Sequence, residues 1–115
     1  MDDPFPHERL DVYRRSLEWV TLARQFVQKL PRGDAELRDQ LRRASLSVPL
    51  NIAEGTGKDG ADRGRFHRIA RGSVLECAAL VDILRIERVI DETETAKAKE
   101  LLKRLSTMLA VMCRR

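Results

Sequence analysis

The sequence predicts an all-α fold, a four-helix bundle whose helices run up, down, up and down and which associates with copies of itself. Three observations lead there. The composition is rich in Leu, Ala, Arg, Glu and Lys, with only 4 prolines, 6 glycines and five aromatics among 115 residues, which favours helix over sheet. Four segments repeat apolar residues at helical spacing across short connections. One of them carries two apolar stripes, where a bundle helix needs one.

The length fits one domain, residues 1–115, with 1–8 as an N-terminal arm. Residues 1–7 hold two prolines and read as a loose or docked arm. Their acidic start lacks the basic and apolar regions of a signal peptide, and no stretch has the length of a membrane span, so a cytoplasmic protein with no membrane contact is expected. Cys77 and Cys113 are too few and too far apart for a disulfide scaffold or a metal motif.

The first helix is predicted over about Arg9–Lys29. At about 100° per residue, Val12, Ser16, Trp19, Ala23, Phe26 and Leu30 share an arc of roughly 80°, with Arg14, Arg15, Glu18 and Arg24 mainly outside it. Pro31, Arg32 and Gly33 end it, and Asp34 is placed to cap the next.

In the second helix Leu37, Leu41, Ala44, Val48 and Ile52 keep one face across Pro49. A proline inside a helix costs roughly 3 kcal/mol, so a break with Ser47 as a new N-cap is an alternative. One kinked helix is preferred because a break would reset the stripe. Ser45 or Ser47 is expected to help satisfy the freed carbonyl, and Asn51 to tie down the kinked backbone. Gly55, Gly57 and Gly60 are read as the stop.

The third helix is predicted over about Asp62–Ile90. One stripe holds Phe66, Ile69, Ala70, Ser73, Cys77, Leu80, Val81 and Leu84. Nearly opposite, Gly72, Leu75, Ala79, Ile83, Ile86 and Ile90 form a second. The second stripe calls for a further partner, and self-association through Gly72, Leu75, Ala79, Ile83 and Ile86 supplies one. Gly72 costs up to about 1 kcal/mol in a helix interior, a cost that makes sense where another backbone approaches.

Asp91 and Glu94 form a predicted capping box that opens the last helix. Its apolar face is Ala98, Leu101, Leu102, Leu105, Met108, Leu109 and Met112, and Arg114 and Arg115 suit its C-terminus.

Leu37–Gly55 (LRDQLRRASLSVPLNIAEG), followed by Phe66–Glu76 (FHRIARGSVLE), resembles the four-helix-bundle proteins encoded in intervening sequences of bacterial 23S ribosomal RNA. The first helix is similar to that family's opening segment, so the likeness reaches to about Leu84. The resemblance implies a bundle assembling as a ring, typically a homopentamer, without known enzymatic activity. Related accessory proteins of diversity-generating retroelements look like basic pentamers that bind nucleic acid and a reverse transcriptase. Pro49, Asn51, Glu54 and Gly55 belong to the shared motif. Leu50 departs from the small polar residue more usual there, and Tyr13 stands where tryptophan is frequent.

The net charge is +4, and the window Arg38–Arg71, with eight basic residues against four acids, holds the whole excess. Arg42, Arg43, Lys58, Arg63, Arg65, Arg68 and Arg71 are the candidate nucleic-acid contacts. Cations at the start of the third helix oppose its dipole. Either a bound anion such as a phosphate backbone resolves this, or Glu54, Asp59, Asp62 or a neighbouring subunit's acids neutralise them.

Glu54 is expected to pair with Arg71 or Arg43 rather than act as a catalytic acid, because no second carboxylate or histidine supports it. His67 reads as a lone histidine on a polar face, and Cys77 as a small core residue. No catalytic residue, metal ligand or cofactor is assigned. The expected function is a non-enzymatic binding module for RNA or DNA, with an adaptor for a protein partner as the alternative.

Overall fold

The computed structural model describes residues 4–114. A short 3-10 turn at Pro6–Arg9 precedes α1 (Asp11–Lys29), α2 (Ala35–Thr56), α3 (Gly60–Ile86) and α4 (Glu92–Met112). The described residues contain no strand. Helices α1 and α3 each pack against α2 and α4, and the α2–α3 contact is the most extensive. The arm docks: its 3-10 turn contacts α1 and α2, and the His7 ring meets Tyr13 edge-on at 4.6 Å. Residues 1–3 of the arm and Arg115 of the basic C-terminus lie outside the described residues.

The α1 stripe is buried as predicted, joined by Leu22, and Trp19 meets Phe26 edge-on at 6.4 Å. Against it pack Leu41, Val48 and Ile52 from α2, Val74, Cys77, Val81 and Leu84 from α3, and Leu102, Leu105 and Leu109 from α4. Each such side chain contributes roughly 1.5–3 kcal/mol when fully buried. That burial outweighs the cost of the interior proline, for α2 runs uninterrupted through Pro49, itself buried.

The serines at the proline do other work than expected. The Ser45 hydroxyl lies 3.8 Å from the Cys77 sulfur, and Ser47 accepts from Ser73 of α3 at 2.8 Å. Asn51 does bond the backbone beside the proline, its amide donating to the Ser47 carbonyl at 2.8 Å.

Two helix ends differ from expectation. Asp34 occupies the cap position of α2 without its side chain accepting a hydrogen bond; the Arg38 guanidinium instead donates to the Pro31 carbonyl at 3.0 Å. Helix α3 starts at Gly60, whose φ of +55° suits glycine, and ends at Ile86 rather than Ile90. There Arg88 turns left-handed, at φ 62°, and the Val89 amide donates back to the Leu84 carbonyl at 2.9 Å. This is a Schellman stop built on arginine. It carries Ile90 off the second stripe into the core, where it is 2% exposed. The Asp91–Glu94 capping box forms as predicted, and a Lys29 ion pair depresses the Glu94 carboxyl below its ordinary pKa.

The core side of α3 is rotated from the predicted stripe. Val74 and His67 are buried, while Ile69 is 42% exposed. Gly72, Leu75, Ala79, Ile83 and Ile86 are all exposed on the single chain. Among the described residues no helix is long and apolar enough to cross a membrane.

Candidate nucleic-acid interface

The basic residues converge in part. Lys58, Arg63, Arg65 and Arg68 gather where α2 gives way to α3, with Arg71 one to two turns further along α3. Arg65 donates to Asp62 at 3.1 Å and lays its guanidinium 4.4 Å from the Phe66 ring centroid, so stacking on the aromatic face steadies it. The Arg63 Nε donates to the Lys58 carbonyl at 3.0 Å. Glu54 pairs with Lys58 at 3.7 Å, not with Arg71 or Arg43. An i,i+4 partner on the same turn is within reach without fixing long side chains across helices. Among the described residues no carboxylate lies within 4.0 Å of Arg42, Arg43, Arg68 or Arg71.

Arg42 and Arg43 stand apart from this corner. They lie 13 and 12 positions before Gly55 in the sequence, about 18–20 Å along α2 at about 1.5 Å per residue. Arg42 keeps company instead with Arg24 and Arg38 around a cleft between α1 and α2. The α1 pattern places Arg24 mainly outside the apolar stripe, and no pattern within either helix signals that residues on two helices converge.

Behind the corner, α2 and α3 meet at Gly55. This glycine is not a stop: it is buried inside α2, and a Cβ there would lie 2.8 Å from the His67 ring and 2.9 Å from the Phe66 Cβ. The close approach buries His67 to 2% exposure, so it is no polar-face residue, and among the described residues neither ring nitrogen has a hydrogen-bond partner. Burial lowers its pKa, the Arg63 guanidinium pushes the same way, and the nearby Ile52 carbonyl opposes both without prevailing. Gly64 matters similarly: a Cβ would stand 3.1 Å from the Arg68 guanidinium and 3.7 Å from the Cys113 carbonyl, so α3 begins close against the end of α4.

A measurable pH dependence follows from His67. The unfolded chain takes up a proton near pH 6.5, which the folded chain binds only at lower pH. Stability is therefore full above about pH 6.5 and falls as pH drops below it toward the folded pKa. The urea midpoint of the wild type should fall more between pH 7.5 and 5.5 than that of His67→Gln; equal slopes would contradict the assignment.

Cys77 is fully buried, and that burial pushes its thiol up to about 11, so it serves as an unreactive core residue. The described residues contain no group of three His, Cys, Asp or Glu side chains able to hold a metal ion. The solvent-facing chemistry of the corner is guanidinium and ammonium beside the exposed carboxylates of Glu54, Asp59 and Asp62, two of which pair with Lys58 and Arg65, so the cations free to hold an anion by charge and hydrogen bonding lie further along α3.

A model of the 23S rRNA-intervening sequence protein family matches residues 8–111, which takes in α1–α3, the corner and nearly all of α4. No curated protein matches the chain. The family match covers nearly the whole length, and the chain belongs to the 23S rRNA-intervening sequence protein family.

Proposed function

We propose that this protein is a non-enzymatic, cytoplasmic binding module, an up-down-up-down bundle that assembles as a ring and holds RNA or DNA by its phosphates. The observation that carries the reading is the α2–α3 corner, where Arg68 and Arg71 extend a basic surface from the start of α3 and have no carboxylate partner among the described residues. The helix N-terminus and the guanidinium groups attract anions together. Repetition around a ring lets several weak patches engage one polyanion at high effective concentration. Trp19 and Phe26 are in the core, and Phe66 is covered by Arg65, so stacking on bases contributes little and binding is expected to be sensitive to salt and tolerant of sequence.

Fluorescence anisotropy with single-stranded RNA and DNA oligonucleotides tests this. Binding should be clear at low salt and weaken steeply as salt rises. Arg65→Ala/Arg68→Ala/Arg71→Ala should lower affinity about tenfold or more and flatten the salt slope by about one per lost phosphate contact. Failure to bind at low salt, or indifference to the triple substitution, overturns the proposal.

The competing reading is a ring that engages a protein partner, favoured by Leu50, which is 65% exposed on α2 outside the basic corner. Partner copurification that survives nuclease treatment and is lost in Leu50→Ser would support it.

A further inference from the structure

Two unsatisfied surfaces lie on different parts of the bundle. On α3, Leu75, Ala79, Ile83 and Ile86 fall within an arc of roughly 80° over about 16 Å. Leu75 is 54%, Ile83 40% and Ile86 78% exposed. Acids flank this strip, Glu76 and Glu87 to one side and Asp82 to the other. Asp82 pairs with Lys99, but among the described residues no cation lies within 4.0 Å of Glu76 or Glu87. Gly72 continues the strip, and a Cβ added to it would meet nothing within 4 Å. The chain's own packing therefore does not require a glycine there.

The second surface is the cleft between α1 and α2, of about 290 Å³. Val20, Ala23 and Val27 of α1 and Leu46 of α2 give it an apolar lining. Arg24, Arg38 and Arg42 give it charge, and no carboxylate lines it. The Pro31 carbonyl holds the Arg38 guanidinium at 3.0 Å. The lining spans Val20–Gln28 on α1 and Arg38–Leu46 on α2, about 12 Å of each helix, close to the length of the α3 strip.

Each surface offers what the other lacks, an apolar ridge edged by unpaired acids and an apolar groove edged by arginines. We propose that the α1–α2 cleft of one copy receives the α3 strip of the next, with Glu76 and Glu87 set against Arg24, Arg38 and Arg42. This rests on the reading that α3 is the self-association surface and names its counter-surface. A helix laid in a groove with anchors one and two turns apart is a common recognition mode, and complementary charge fixes its register. Because the strip residues are exposed and none of them lines the α1–α2 cleft, one copy can use both surfaces at once. The contact is then heterologous, and repeating it closes a ring or extends a filament. A two-fold contact of α3 with itself would instead bring like acids together and leave the cleft unfilled. Arg68 lies seven residues before Leu75, about 10 Å along the helix, so the basic corner stays outside the groove.

Cross-linking with a short bismaleimide tests this in a Cys113→Ser background. Leu46→Cys protein mixed with Leu75→Cys or with Ile86→Cys protein should link in at least one mixture, the two ends of the strip covering either direction of α3. None of the three should link to itself. Arg24→Glu/Arg42→Glu and Glu76→Arg/Glu87→Arg should each weaken self-association about tenfold or more, and the chain carrying all four changes should recover it.

An oligomer whose Ile86→Cys protein links only to itself overturns the proposed counter-surface while leaving self-association through α3 intact. Leu46→Cys that labels equally fast in dilute and concentrated protein also overturns it, leaving the cleft to a small amphipathic anion. A wild type that stays monomeric by light scattering removes the self-association reading as well.

Discussion

Gly55→Val should destabilise the fold by about 2–3 kcal/mol, from overpacking where α2 and α3 approach closely at Gly55. For a domain of this size that corresponds to a fall in Tm of roughly 10–20 °C. A Cβ at position 55 would lie 2.8 Å from the His67 Cδ2 and 2.9 Å from the Phe66 Cβ. The first is a ring buried between helices, and the second is fixed to the α3 backbone, so neither can swing aside. Relief requires α2 and α3 to part, and their contact is the most extensive in the bundle. Gly57→Ala is the control: its Cβ would meet only backbone oxygens, at 3.6 and 4.0 Å, and its φ of −84° suits any residue. It should change stability by no more than about 0.5 kcal/mol. Thermal and urea melts of both variants decide the matter, and a Gly55→Val protein melting within a few degrees of wild type would show that the crossing is looser than described.

Ile83→Asp/Ile86→Asp should leave the fold intact and abolish assembly at micromolar concentration. The two side chains are 40% and 78% exposed on the single chain, so the change should cost the monomer little. Burying two unpaired carboxylates in an apolar contact costs several kcal/mol, enough to weaken association by about 100-fold or more. Light scattering, with circular dichroism as the folding control, reads both effects. An assembly of unchanged size would exclude the α3 strip as the contact.

Periodicity within one helix was legible in the sequence. Every residue of the α1 stripe is buried, and the Asp91–Glu94 box forms. The persistence of the α2 stripe across Pro49 also marked one helix rather than two. The phase of α3 was less legible because apolar residues occupy both sides of that helix, and its own sequence does not say which side faces inward. Contact with α2 and α4 chose Ala70, Val74, Cys77 and Val81 and left Ile69 42% exposed. The early end of α3 was hidden because a left-handed cap is usually glycine, and here Arg88 takes that role.

The candidate site divides in the same way. Its charge excess could be counted along the chain, but the partners of those charges could not. Glu54 took Lys58 just past the end of its own helix, Arg42 joined Arg24 and Arg38 across two helices, and Gly55 drew His67 out of solvent. The sequence alone determined the helices, their inward stripes and the basic stretch, because these follow from 100° and 1.5 Å per residue along one chain segment. Tertiary structure decided the rest, because the rotation and offset of one helix against another are set by how side chains interlock, and a single substituent such as the missing Cβ of Gly55 changes which groups meet.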